Sequence, residues 1–374
     1  MSRAVSTSSK RVRYNRAMVI RIVTILALAA APGFCGDWNP RLAADYLDAR
    51  QKAWFAWPAA QKGDDGPCLS CHTGLSYLLA RPALSRALGE NASTPYETGL
   101  LEAVKKRVGK KTTQEYAPGA KEPHASESLG VESVLSSLLL ASQDARKGAL
   151  SKETEQAFDR LWALQIKDGK NQGAWIWNSF DLDPWEEPDS TYYGAALAAL
   201  AVGVAPAGYQ SRPAIRENVE ALKTYLRKQL PAQPLHNRLI LVWASTTLRG
   251  MLTEAERKGI VDDVLNKQQA DGGWTLESLG AWSRHENAPP AAGSNSYATA
   301  LVTFLLEQAG LARKNPPVAK ALVWLRSHQD PKSGYWDAQS MNKRYAPDSM
   351  PFQFMRDAAT SYASLALAGS ANEE

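Results

Sequence analysis

A long apolar run, a sustained excess of charge of one sign and strand-like alternation are all missing from this sequence. The 43 Lys and Arg outnumber the 38 Asp and Glu, for a formal charge of +5. Six of the basic residues (Arg3, Lys10, Arg11, Arg13, Arg16, Arg21) and no acidic one fall in residues 1–36, which leaves 37 basic against 38 acidic in the rest. A folded body without a basic field is not built to bind nucleic acid. The most apolar stretch, Ile22–Ala31, is well short of the roughly 20 residues a membrane helix needs. No segment alternates with the period of two that marks a half-buried strand. Hydrophobic residues at 44% and charged residues at 22% exclude a disordered chain. A length of 374 residues allows one large domain or two ordinary ones.

The first 36 residues have the order of an export signal. Arg13, Arg16 and Arg21 precede the apolar run, and Ala31 and Gly33 follow it as a cleavage site would require. Met18 offers an alternative start, and an uncleaved anchor is the competing reading. The expectation is a removed leader over 1–36, a mature chain over 37–374 with no stable membrane span, and a periplasmic or otherwise extracytoplasmic location.

Three segments of the mature chain share one pattern: Leu161–Trp175, Val264–Trp274 and Leu322–Trp336. Each runs from an apolar helical stretch through a Gln and a short polar loop to Gly-x-Trp. A helix rich in small residues follows each, over Asp189–Val202, Ser294–Leu306 and Asp357–Leu367. Gly permits a close turn, Gln can bond the loop backbone or a helix end, and Trp can cover the end of the helix pair. The wide gap between Trp175 and Trp274 holds a degenerate unit, Ile215–Gln229 with Leu235–Arg249. Toward the N-terminus, Tyr96–Val108 pairs with Ser126–Ala141 and Leu42–Trp57 with Cys71–Leu88. Six helix pairs of about 50 residues predict a repeat array. A closed ring and an open superhelix both satisfy the count, and the lack of polar capping repeats favours closure.

The Gln…Gly-x-Trp repeats resemble the QW motifs of the squalene–hopene cyclase and prenyltransferase superfamily. The resemblance covers most of the mature chain and implies an all-α fold, a single (α/α)6 toroid of six helical hairpins. It also implies that the inner helices begin around one mouth, where a ligand would bind. These cyclases protonate an alkene with an Asp of a DxDD motif at a helix start. The matching stretch here is Asp189-Ser190-Thr191-Tyr192. Only the first Asp is kept, and Thr191 stands where the proton donor would be. The zinc ligand set of the related protein prenyltransferases has no counterpart, because no Cys follows Cys71. Glu186, Glu187 and Asp189 are the remaining candidate acids, with Glu187 and Asp189 as the catalytic expectation. Trp175, Trp177, Trp185, Tyr192, Tyr193 and Trp282, with Asp357, are the expected lining of an isoprenoid-like cavity, although such aromatics can equally pack loops together.

Cys68-Leu69-Ser70-Cys71-His72 is the most specific chemical motif in the chain. CxxCH is the attachment signature of haem c: two thioethers hold the macrocycle and the His binds its iron. Export fits, since such haem is attached outside the bacterial cytoplasm. A Cys68–Cys71 disulfide and a small metal site are the alternatives. Met350, in Ser349-Met350-Pro351, is the candidate sixth ligand. His124, His236 and His285 are weaker ones, and His328 is expected on the far side.

The sequence thus predicts an exported toroid that carries haem c and binds or redox-modifies a small apolar ligand, with a redox protein as a further partner. The alternatives are a cyclase-like lyase or isomerase working by acid catalysis, with CxxCH as a disulfide, and a non-catalytic binding module.

Overall fold

Capping and proline chemistry mark where the helices begin. Asn39 accepts from the backbone N–H groups of Arg41 and Leu42, ahead of Pro40. Thr94 with Glu97 and Thr253 with Glu256 form reciprocal capping boxes. The computed structural model describes residues 38–180, 182–206, 208–282, 288, 293–340 and 343–369. The leader read over 1–36, and His285, lie outside the described residues.

Thirteen α-helices are described: α1 Pro40–Ala56, α2 Ser76–Ala87, α3 Pro95–Arg107, α4 Thr113–Tyr116, α5 His124–Ala145, α6 Lys152–Leu164, α7 Ser190–Val204, α8 Arg216–Gln229, α9 Leu235–Ser245, α10 Glu254–Leu265, α11 Ser296–Gln308, α12 Pro316–Ser327 and α13 Met350–Ala368. A π-helical turn over Cys71–Leu75 leads into α2. Among the described residues there is no strand, only three isolated bridges. The protein is all-α, as expected from sequence.

Composition sorts the helices into two layers. In α7 every residue from Tyr192 to Val202 is buried. Helix α8 buries only Val219, Leu222, Tyr225 and Leu226. A helix apolar all round belongs inside, and an amphipathic one belongs outside. The inner layer is α2, α5, α7, α9, α11 and α13. Around it α5 packs on α7, α7 on α9, α9 on α11, α11 on α13 and α13 on α2, while the π-helical turn before α2 meets α5. The last hairpin therefore lies against the first, an arrangement consistent with an α/α toroid rather than an open superhelix.

The repeated motif forms the joints of this ring. Gln165 Nε2 donates to Gly173 O at 3.0 Å and to Asn218 O, at α8, at 2.9 Å. Gln268 donates to Gly272 O and to Pro317 O of α12, both at 2.8 Å. Gln329 donates to Gly334 O and to Asn39 O, the cap of α1, both at 2.9 Å. Each Gln thus ties its own loop to the next outer helix, and the third tie joins hairpin six to hairpin one. Trp175, Trp274 and Trp336 each donate Nε1 back to the preceding outer helix, to Leu161 O, Val264 O and Leu325 O, at 2.7 Å in all three. The intervening glycines have φ of 95°, 97° and 77°, a region where other residues are strained.

Two helix starts differ from the sequence expectation. Helix α5 begins at His124, before Ser126. Helix α13 begins at Met350 with Pro351 in its first turn, so Asp357 sits two turns inside the helix rather than at its start.

Candidate functional site

The CxxCH segment closes a loop that runs from Trp57 across the feet of α3 and α5. Arg107, fully buried on α3, holds that loop. Its Nη1 donates to Asp65 O and its Nη2 to Pro67 O, both at 3.0 Å. The same guanidinium pairs with Glu132 of α5, Nε to Oε1 at 2.7 Å. Burial works against the charge of Glu132. The Arg107 charge and hydrogen bonds outweigh it and keep the carboxyl below its ordinary range. Tyr116 adds a third bond, from its hydroxyl to Glu132 Oε2 at 2.8 Å. On the other side of the loop, Trp54 Nε1 donates to Cys68 O at 2.9 Å. Ser70 then caps the π-helical turn, its Oγ accepting from Thr73 N and Gly74 N. Cys68 is thereby fixed at the end of the loop and Cys71 in the first turn of a helix.

A cavity of about 270 Å³ opens beside this motif. Cys68, Leu69, Ser70 and His72 form one wall and Trp54, Trp57 and Phe354 a second; Ala59, Lys62, Tyr116, Ser128, Val131, Asn178, Phe180 and Glu186 complete the lining. It draws on hairpins one, two, three and six, so only a closed ring can assemble it.

His72 is 3% exposed. Phe354 stacks on its ring with centroids 3.6 Å apart, and Trp54 and Trp185 stand 5.9 and 5.7 Å away. Burial, with a smaller push from Arg50, lowers its pKa to about 3, so the ring is neutral at physiological pH. Its Nδ1 lies 3.0 Å from Thr73 Oγ1, which donates to Asp357 Oδ2 at 2.9 Å. Tyr46 and Arg50 both donate to Asp357 Oδ1 at 2.8 Å.

Burial pushes the Cys68 thiol up to about 11 and the Cys71 thiol well above its ordinary value. Both are therefore protonated near neutral pH, and their sulfurs are not bonded to each other. Among the described residues no group of three or more His, Cys, Asp and Glu is arranged to hold a metal ion.

Glu186 is the acid that the turn before α7 presents to the cavity. Burial raises its pKa to about 7, against a long 3.5 Å bond from Asn178 and with a smaller push from the charge of Glu127. Asp189 is exposed at the end of the same turn, and Glu187 is half-buried beside it. Neither lines the cavity.

The seven residues expected to line a cavity serve other contacts. Trp175 packs within its own hairpin through its bond to Leu161 O, and Tyr192 packs against the next hairpin through its bond to Leu226 O. Trp177 donates to Trp185 O and packs against Tyr193. Trp185 donates to the Tyr297 hydroxyl at 3.0 Å, and His236 Nε2 lies 3.0 Å from the same hydroxyl. Tyr193 and Trp282 face His236. These side chains form an aromatic plug among the inner helices. Asp357 belongs to the His72 relay. Met350 receives Arg50 Nη2 at its sulfur at 3.5 Å and does not line the cavity. His124 lies 61% exposed and pairs with Glu127. His328 caps the end of α12 on Trp324.

Sequence reasoning missed Trp54, Phe354, Asn178, Thr73 and the Arg107 clamp. Trp54 and Trp57, three residues apart just upstream of CxxCH, were the one local signal available. Phe354 is brought in by ring closure and leaves no local pattern, whereas Thr73 directly follows CxxCH and gains its role only from Asp357 across the seam.

No protein-family model and no characterised protein sequence matches the chain. Solved structures do. A glycosidase variant is similar with a TM-score of 0.51 at 12% identity, over 87% of this chain and 94% of that one. A second glycosidase variant, in complex with glucose, gives 0.50 at 12% identity, over 87% of this chain and 96% of that one. At this identity the likeness is one of all-helical fold.

Proposed function

We propose that the mouth cavity is the functional site of an extracytoplasmic α/α protein, that His72 and Cys68 mark it as a haem c site, and that it serves redox chemistry on, or binding of, a small apolar ligand. The observation that carries the reading is the pairing of Cys68 and a neutral His72 on one wall of an aromatic cavity. The donor set suits a haem: His72 would hold the iron and Cys68 a thioether. Cys71 stands behind that wall, 1% exposed, one residue from His72. The cavity is also smaller than the roughly 300–1,000 Å³ of ordinary ligand sites, so Phe354 and Phe180 must yield to admit a macrocycle. When bound, haem would supply one-electron chemistry. This chain supplies the rest: Trp54, Trp57 and Tyr116 exclude water, Arg107 holds the loop, and Glu186 holds a proton at the cavity wall.

The test is an intact mass and visible spectrum of the full chain exported from a host with haem-maturation machinery. A mass higher by one haem, with a Soret band that survives acid–acetone extraction and is lost in Cys68→Ser, is expected. Exported protein of unmodified mass without a Soret band overturns the haem reading.

A second reading, acid catalysis without haem, is favoured by Glu186. A carboxyl that keeps its proton near neutral pH inside an aromatic cavity is what a general acid requires. The fold likeness to glycosidases, enzymes that as a class use such a carboxylic acid, points the same way.

A further inference from the structure

His72, Thr73 and Asp357 form a buried chain that crosses the seam between hairpins one and six. Their exposures are 3%, 1% and 1%. The Thr73 hydroxyl has one proton. Asp357 Oδ2 lies 2.9 Å away, and Arg50 Nε and the Tyr46 hydroxyl, each at 2.8 Å, hold that carboxyl as an acceptor at Oδ1. Burial raises its pKa above the ordinary carboxyl value, against the Arg50 charge and the bonds from Arg50, Tyr46 and Thr73; the three donors that converge on its oxygens are what make it the acceptor. With the Thr73 proton given to the carboxylate, Oγ1 can only accept from the ring nitrogen 3.0 Å behind it. A neutral imidazole has one N–H, and here it must be at Nδ1.

We infer that Asp357, acting through Thr73, is a positioning group that fixes His72 as the Nδ1–H tautomer and leaves Nε2 as the free lone pair of a ring on the cavity wall. Metal-bound histidines are commonly oriented in this way by a partner on the other nitrogen. The inserted hydroxyl and the Arg50-bound carboxylate make the device specific to this chain. The inference deepens the reading of His72 as the ligand of the site, yet it concerns the ring itself and holds for any electrophile that the ring meets. Hydrogen-bond donation to a hydroxyl that is itself polarised by the carboxylate also makes Nε2 a stronger electron donor, which would favour the oxidised state of a bound iron.

The test is long-range ¹H–¹⁵N correlation of His72 in the folded full chain produced without haem. Wild type and Thr73→Ser should show a protonated Nδ1 and a bare Nε2. Thr73→Val, of the same shape without the hydroxyl, should shift the population toward Nε2–H while the other histidines keep their shifts. In haem-loaded protein Thr73→Val should raise the reduction potential relative to both wild type and Thr73→Ser. A wild-type His72 in the Nε2–H form, or a tautomer unchanged in Thr73→Val, overturns the inference. The two proposals fail separately. Exported protein without a Soret band but with an Nδ1–H His72 removes the haem reading alone. Covalent haem in a protein whose haem-free form has an Nε2–H His72 removes the relay alone.

Discussion

Ring closure can be tested at one atom. Gly334 has φ of 77° and lies against the backbone of Leu42 in α1, so that a Cβ there would come within 2.5 Å of the Leu42 Cβ and closer still to its carbonyl group. Gly334→Ala therefore adds two costs. The left-handed backbone costs Ala about 1–2 kcal/mol, and overpacking against a rigid helix costs roughly another 1–3 kcal/mol. Gly169 is the matched control: its φ is 74°, and nothing lies within 4 Å of the corresponding Cβ. Gly169→Ala has the backbone cost alone. Denaturant melts of the two variants should then differ by about 1–3 kcal/mol, with Gly334→Ala the weaker. The comparison cancels backbone strain and isolates the contact between hairpin six and hairpin one. Equal losses, within about 0.5 kcal/mol, would show that Gly334 does not meet α1 and that the helices form an open array.

Two further outcomes follow from buried charge. The folded pKa of Glu186, about 7, lies above its unfolded value near 4.5, so the folded state binds the extra proton and stability falls as pH rises from 4.5 through 7; Glu186→Gln should be nearly neutral at pH 4 and more stable than wild type by up to about 3 kcal/mol at pH 8, and identical pH profiles by denaturant titration would refute the placement. Arg107→Met strands the buried carboxyl of Glu132 and unfastens the loop before Cys68, for an expected loss of about 3–5 kcal/mol; adding Glu132→Gln should recover at least half of it in the same melts, and a double variant as weak as the single one would count against the pair.

The architecture was legible because its signals are local. All six helix pairs read from sequence are present, including the three without a clear Gln…Gly-x-Trp, since amphipathic spacing alone separates α8 from α9. The motif itself specifies a joint: a side-chain amide, a left-handed glycine and an indole whose partners differ in sequence but not in position. The site was legible only where chemistry is contiguous, at Cys68–His72. Of the three candidate acids Glu186, Glu187 and Asp189, the sequence could not single out Glu186 as the one that lines the cavity, because residues 182–190 form a turn and no periodicity tells which carboxyl of Glu186-Glu187 faces inward. Asp357 was placed at a helix start because the Pro351 signal for an earlier one was read as part of a ligand loop. The aromatics of the expected cavity are buried as a mutually bonded plug, and composition cannot distinguish a wall from a filling.

A ring has a consequence for chemistry that an open stack does not. Thr73 and Asp357 are 284 residues apart in sequence, yet the groups that define His72 come from hairpins one and six alike: Thr73 and Arg50 from the first, Asp357 and Phe354 from the last. The loop bearing Cys68 is held by hairpin two through Arg107, and Glu186 arrives from hairpin three. Partial unfolding at the seam would remove the ring stack of His72 and its hydrogen-bond relay in one step. The side-chain tie from Gln329 to Asn39 and the close approach of Gly334 to Leu42 lie on that same seam. What fastens the fold thus also holds the imidazole, so loss of closure should show as loss of the His72 tautomer before the remaining helix pairs come apart.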